Sequence, residues 1–97
     1  MFSIVIPTYQ NFKYFKNTVE SIKKNSSHQH EIITHINGED QDTENYLKIN
    51  NLKYTKSFEN IGLCSGVNSA TKHSTKNYIL YSHDDMYFLP NWDNFLI

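Results

Sequence analysis

Arginine is missing from this chain altogether, and that absence narrows its chemistry before any motif is read. Without a guanidinium there is no bidentate clamp for phosphate, so an anion must be held by lysine, backbone N–H groups or a metal ion. Only one cysteine is present, Cys64, which excludes an intramolecular disulfide and fits a reducing compartment; a cytoplasmic location is expected. Three glycines and two prolines leave no linker, so residues 1–97 are expected to form a single domain. No apolar run approaches the ~20 residues that cross a bilayer. Met1 leads straight into a strand-like run without a basic region, which argues against a signal peptide. An excess of charge is missing too: nine lysines face ten acidic residues, for a net charge of −1. Such a chain has no field to draw nucleic acid or an anionic membrane.

What is present suffices for a core, with 38% hydrophobic and 14% aromatic residues. Phe2-Ser3-Ile4-Val5-Ile6-Pro7 is short, β-branched and nearly continuously apolar, as in a parallel-sheet strand buried on both faces, and Pro7 is expected to end it. Between residues 11 and 25, Phe12, Phe15, Val19 and Ile22 recur at helical spacing, with Lys23 and Lys24 favourably near the end. Residues 30–36 read as a second strand before the turn pair Asn37-Gly38. Tyr46, Leu47 and Ile49 sketch a short helix, residues 52–58 a weaker strand, residues 62–74 a third helix, and residues 78–82 a last strand. The order β-α-β-α-β-α-β implies an α/β domain, a Rossmann-like parallel sheet with flanking helices. Ligands of such sheets sit at the carboxyl ends of strands, where Pro7-Thr8-Tyr9, Asn37-Gly38 and Asp84-Asp85 all fall.

The segment Tyr78-Ile79-Leu80-Tyr81-Ser82-His83-Asp84-Asp85-Met86-Tyr87-Phe88-Leu89-Pro90 carries the strongest chemical signal. Adjacent carboxylates repel and cost desolvation, so a cation beside them explains the pair better than a simple turn. Hard Mg²⁺ or Mn²⁺ prefers oxygen ligands and shares them with substrate phosphates. His83 is either a further ligand or second-sphere group, or a solvated residue packed beside the strand end. Thr8-Tyr9-Gln10-Asn11 either hydrogen-bonds and stacks on a base, or Asn11 simply caps the first helix. Glu39, Asp40, Asp42 and Glu44 lack the ligand spacing of a calcium loop and read as charge bias at a helix start. His28 and His30 are expected to be solvated rather than to bind zinc. Cys64, beside Gly62 and Gly66, reads as a small buried residue with no activating partner.

With these residues in place, the chain resembles the nucleotide-sugar-binding half of family 2 glycosyltransferases with the GT-A fold. The opening Phe2 to Asn11 is similar to the family's first strand and its Pro-Thr-Tyr-Asn turn. Asn37-Gly38-Glu39-Asp40-Gln41-Asp42-Thr43 is similar to its Asp-Gly-Ser-x-Asp-x-Thr loop. Glu59-Asn60-Ile61-Gly62-Leu63 and Gly66-Val67-Asn68-Ser69-Ala70 resemble its third helix entry, and Tyr78 to Pro90 its Asp-x-Asp strand in an Asp-Asp-hydrophobic variant. The resemblance implies a glycosyltransferase of hexosyltransferase type, using a nucleotide-diphosphate sugar with Mn²⁺ or Mg²⁺. It implies that Asp84 contacts the donor's ribose or its metal and that Asp85 holds the cation. Thr8 and Tyr9 would frame the nucleobase; Asn60, Gly62 and Asn68 would line the nucleotide or shape its loop; and Pro7 and Asn37 are expected among the donor-binding residues.

Two departures stand out. His35 and Ile36 occupy the place of the family's base-reading acidic residue, and Val67 that of its arginine. The family's acceptor-binding half and catalytic base lie beyond the metal motif, so this domain is expected to lack them. Asp93 is the only carboxylate after the pair and a weak candidate for a base. The acceptor, whether sugar, lipid or protein, is not legible. The apolar Trp92-Asp93-Asn94-Phe95-Leu96-Ile97 is expected either to dock on this domain or to form a homodimer contact. A module that binds a nucleotide-sugar without transferring it is the alternative function.

Overall fold

Alternation along the first strand divides the core into two parts, one on each face of the sheet. In the computed structural model, which describes residues 1–95, the elements are β1 (Phe2–Thr8), α1 (Phe12–Asn25), β2 (Glu31–Asn37), α2 (Gln41–Ile49), β3 (Lys53–Ser57), α3 (Leu63–Thr71) and β4 (Tyr78–Tyr81), with a 3-10 turn at Trp92–Phe95. Ile4 and Ile6 of β1 pack with Phe15, Val19 and Ile22 of α1 and Tyr46 and Leu47 of α2. Val5, between them, points to the other face and meets Ile33 of β2 with Val67 and Ala70 of α3. The four strands are parallel in the order β3-β2-β1-β4, so β1 and β2 lie inside the sheet and are buried along nearly their whole length. The α/β class and element order are those the sequence implies. None of the described helices is long and apolar enough to cross a membrane.

Pro7 does not end β1, which continues to Thr8 and pairs Pro7 with His35. The reason is directional. Val5 O accepts from Ser82 N, so Val5 and, two residues on, Pro7 direct their backbone groups toward β4. The pairing with β4 stops at Val5, so the N–H that proline lacks has no acceptor to miss.

α1 carries Lys23 and Lys24 in its last turn, as its dipole favours. At the start of α2, Asp40 accepts from Thr43 N and Oγ1, while Asp42 and Glu44 lie in the first turn. The acidic cluster is therefore a helix cap with a charge bias. Of the three apolar residues that sketch this helix, Tyr46 and Leu47 are buried, whereas Ile49 is 80% exposed at the last residue of α2.

The amino-terminal edge of the sheet is closed by the carboxyl-terminal segment. Asp93 is fully buried and accepts from Ser27 N (2.8 Å), His28 N (2.9 Å) and His30 Nε2 (2.7 Å). Phe2 N donates to His30 Nδ1, which puts the ring proton on Nε2, facing Asp93. Trp92 packs against Phe2, His30 and Phe88 and donates its indole N–H to Ser26. His30 is thus a buried structural residue and not a solvated one. Asp93 is not placed to act as a base, because these donors occupy it at the edge opposite Asp84. Trp92 docks on the domain as expected; Leu96 and Ile97 lie outside the described residues. The three donors to Asp93 hold its carboxyl well below the usual carboxylate range against the opposing effect of burial.

Glu31 ties the same edge together through Ser3 Oγ, Lys53 Nζ, and Thr75 N and Oγ1. Burial alone would raise its pKa, but these partners outweigh it and hold the carboxyl at about 2, against an ordinary 4.5. Replacing Asp93 by Ala strands three donors and is expected to cost about 2–4 kcal/mol in urea unfolding. Because the folded pKa of Glu31 is depressed, its stabilisation is complete above 4.5 and disappears as pH falls toward 2. The difference in urea midpoint between wild type and Glu31→Gln should accordingly be largest near neutrality and shrink over that window.

Candidate functional site

The strand order reverses at β1: β2 and β3 build outward on one side, and the chain then returns to place β4 on the other. The crevice beyond the carboxyl ends of β1 and β4 is where an open α/β sheet receives a ligand. A groove of about 300 Å³ lies there, lined by Pro7, Thr8, Tyr9, Asn11, Asn37, Asn60, Leu63, Tyr81, His83 and Asp84. Three strand ends feed it. Thr8 Oγ1 donates to Asp84 Oδ2 at 2.8 Å, joining residues 76 apart in sequence. Asn37 Oδ1 accepts from Ile61 N at 3.2 Å and so draws the loop before α3 to the end of β2. Asn60 Oδ1 accepts from Gly62 N at 2.9 Å, and Gly62, at φ 86°, opens α3 in a conformation suited to glycine.

The turn after β2 has its own geometric demand. Gly38 sits at φ 79°, donates to Ser57 O at 2.9 Å, and lies beneath the Tyr9 ring, whose Cε1 would be 3.6 Å from an added Cβ. Beyond it, a smaller hollow of about 120 Å³ is lined by Glu39, Asp40, Glu44, Lys56 and Phe58 among others. Lys56 is paired there with Glu44 at 3.1 Å. The Tyr54 hydroxyl and Lys56 together hold the Glu44 carboxyl below its ordinary range.

Asp84 is half-buried, with one carboxylate oxygen engaged by Thr8, whereas Asp85 is exposed and makes no side-chain hydrogen bond among the described residues. Beside them the Tyr81 phenol is pushed above its ordinary value, by burial first and then by the Asp84 charge. Asn11 stands at the start of α1, but its side chain makes no capping bond and lines the groove instead.

Residues 3–97 match the sequence profile of Glycosyl transferase family 2. The chain belongs to that family. No curated protein matches it in sequence. Among solved structures it is similar to S. aureus TarS 1-349, with a TM-score of 0.80 and 24% identity over 98% of this chain and 30% of that one. The same protein in complex with UDP gives a TM-score of 0.83 at 23% identity, and in complex with UDP-GlcNAc 0.79 at 24%. At this identity the likeness is one of fold, and the fold is that of GT-A glycosyltransferases. The chain spans about 30% of the length of those TarS structures.

Of the residues singled out from the sequence, Pro7, Thr8, Tyr9, Asn37, Asn60 and Asp84 meet at one groove. Gly62 shapes its rim, and Asp85 adjoins Asp84 without lining it. Asn68 is not brought there: it lies further along α3, beside a shallow hollow with Leu63, Cys64, Val67 and Tyr81. Leu63 and Tyr81 line the groove although neither carries a chemical signal in the sequence; the alternation of β4 and the start of α3 are the only pointers to them. Cys64 is exposed and not the small buried residue its neighbours suggest, because α3 presents Gly66 and Ala70 to the sheet.

His35 and Ile36 do not reach the groove. Ile36 is in the core beneath α2, and His35 is buried under α3. Ser57 Oγ donates to Glu59 O, so it accepts from His35 Nε2 (3.2 Å), and Nδ1 then accepts from Thr55 Oγ1 (2.7 Å). Burial pushes the His35 imidazole below its ordinary pKa, which favours this neutral form. Above the ring, Gly66 leaves little room: an added Cβ would lie 3.1 Å from His35 Cδ2 and 3.2 Å from Asn37 Nδ2. Gly66→Ala should therefore lift α3 and loosen the hold of Asn37 on Ile61, lowering stability by about 1–3 kcal/mol in thermal or urea unfolding.

Proposed function

We propose that the groove between β1 and β4 binds a nucleotide-diphosphate sugar, and that this chain is the donor-binding part of a metal-dependent glycosyltransferase. The observation that carries the reading is the Thr8–Asp84 hydrogen bond with Asp85 beside it, at the point where strand order reverses in a member of Glycosyl transferase family 2. The TarS structures with UDP and UDP-GlcNAc support uridine diphosphate sugars as the first donors to test.

The carboxylate pair suits a divalent cation by its chemistry. Both side chains offer hard oxygen donors, one oriented by Thr8 and the other accessible, and among the described residues no cluster of three ligating side chains forms a closed cage. Mg²⁺ or Mn²⁺ is typically held by such a partial set and completed by substrate phosphates. Asp85 and Asp84 would hold it, and once bound it would offset charge on the departing nucleoside diphosphate. Tyr9, half-exposed over Gly38, offers the nucleobase a face to stack on, and Asn37 and Asn60 keep the loop before α3 closed against the groove. A cytoplasmic location belongs to the same proposal.

A second reading has its own observation. Among the described residues the groove is lined by no carboxylate other than Asp84, and Asp93 is committed at the opposite edge. A base for the acceptor hydroxyl is therefore not supplied by the groove itself, and these residues alone would bind a donor without transferring its sugar. Calorimetric titration of UDP-GlcNAc with and without Mn²⁺ tests the shared part of both readings. Cation-dependent binding is expected in the wild type and loss of it in the Asp84→Ala/Asp85→Ala double variant. Binding that ignores both the cation and the double substitution would remove the metal-dependent reading. Release of UDP that depends on an added acceptor separates transferase from binding module.

A further inference from the structure

We propose that His83 is the side chain that hydrogen-bonds the donor's diphosphate, in a site that has no arginine to do so. The inference rests on the donor-site reading above and adds to it a residue recognising the phosphates. Asp84 and Asp85 bring two negative charges and the diphosphate of a nucleotide-sugar brings two more, so one divalent cation leaves the assembly anionic. Further donors must face the phosphates. The chain has no arginine, and no lysine lines the groove. Thr8 has given its hydroxyl hydrogen to Asp84. Asn37 and Asn60 are fixed by accepting through Oδ1 from Ile61 N and Gly62 N; their amide N–H groups remain donors at the end of β2 and in the loop before α3, whereas His83 is the donor next to Asp84.

His83 is oriented differently. Its Nδ1 lies 3.3 Å from the Tyr81 hydroxyl, and the two rings meet edge to face at 5.2 Å. The Tyr81 hydroxyl has no other acceptor among the described residues, and in the arrangement in which it donates to Nδ1 the ring hydrogen is on Nε2. That N–H has no hydrogen-bond partner among the described residues and belongs to a side chain lining the groove next to Asp84. Tyr81 thus acts as a positioning residue, fixing the ring so that its one unused donor is available to a ligand. A histidine merely packed on Tyr81 would have the same contacts but no effect on phosphate binding, and this difference is testable.

The experiment is a ¹H–¹⁵N NMR titration of the whole chain with UDP-GlcNAc in Mg²⁺, with uridine as the phosphate-free ligand. His83→Phe keeps a ring against Tyr81 and removes the N–H; His83→Gln restores an amide donor. Loss of a hydrogen bond to a charged group is expected to weaken UDP-GlcNAc by about tenfold in His83→Phe, leave uridine unchanged, and be largely recovered in His83→Gln. Unaltered UDP-GlcNAc affinity in His83→Phe overturns the assignment while leaving the donor site standing. Equal weakening of UDP-GlcNAc and uridine also overturns it, since the ring would then act only through packing. Failure of the wild type to bind UDP-GlcNAc at all overturns the donor-site reading, and this inference with it.

Discussion

The molecule depends on the parallel pairing of β1 with β2 on one side and β4 on the other. Parallel strands end at a common edge, so residues far apart in sequence arrive together there without any contact designed to join them. Thr8, Asn37 and Asp84 belong to the ends of three such strands, and the Thr8–Asp84 hydrogen bond is the local consequence. The pairing also explains why proline is accepted within the central strand. Pro7 sits just where β4 has left the sheet, and this departure opens the groove.

The two edges of the sheet treat carboxylates in opposite ways. At the amino edge, Glu31 and Asp93 are surrounded by donors from several elements, and their acidity is shifted to match. They hold the chain together and have no capacity left for a ligand. At the carboxyl edge, Asp84 has one partner and Asp85 none among the described residues. Half-buried Asp84 and exposed Asp85 therefore keep carboxylate oxygens that no other part of the protein occupies among the described residues. The same distinction separates the histidines. His30 and His35 have both ring nitrogens engaged by the protein, whereas His83 has one.

Much of this was legible in the sequence because it rests on local rules. The element order follows from apolar period and turn residues; the acidic bias at the start of α2 follows from Glu39, Asp40 and Asp42 standing before Thr43; Asn37-Gly38 marks a turn, with Gly38 at positive φ. The groove was legible too, through Pro7, Thr8, Tyr9, Asn37, Asn60 and Asp84, since each stands at a strand end or in the loop before α3. What escaped depended on neighbours distant in the chain. Ile49 fits the helical stripe, but α2 ends there and nothing covers it. Cys64 looks like a packing residue between glycines, but the turn of α3 sends Gly66 to the sheet and Cys64 outward.

Fold class and family are readable from the chain alone, because periodicity and motif order are local properties, and so is a set of candidate residues for a metal or a nucleotide. Which candidates share a surface was left to the packing of the elements. It carried Asp93 to the far edge as a buried anchor, turned His30 inward beneath Trp92, and left Asn68 beside the groove rather than in it. Such outcomes hinge on which face of each element meets another and on who supplies the hydrogen bonds. Those partners come from distant segments, 76 residues apart for Thr8 and Asp84, and no local pattern encodes them.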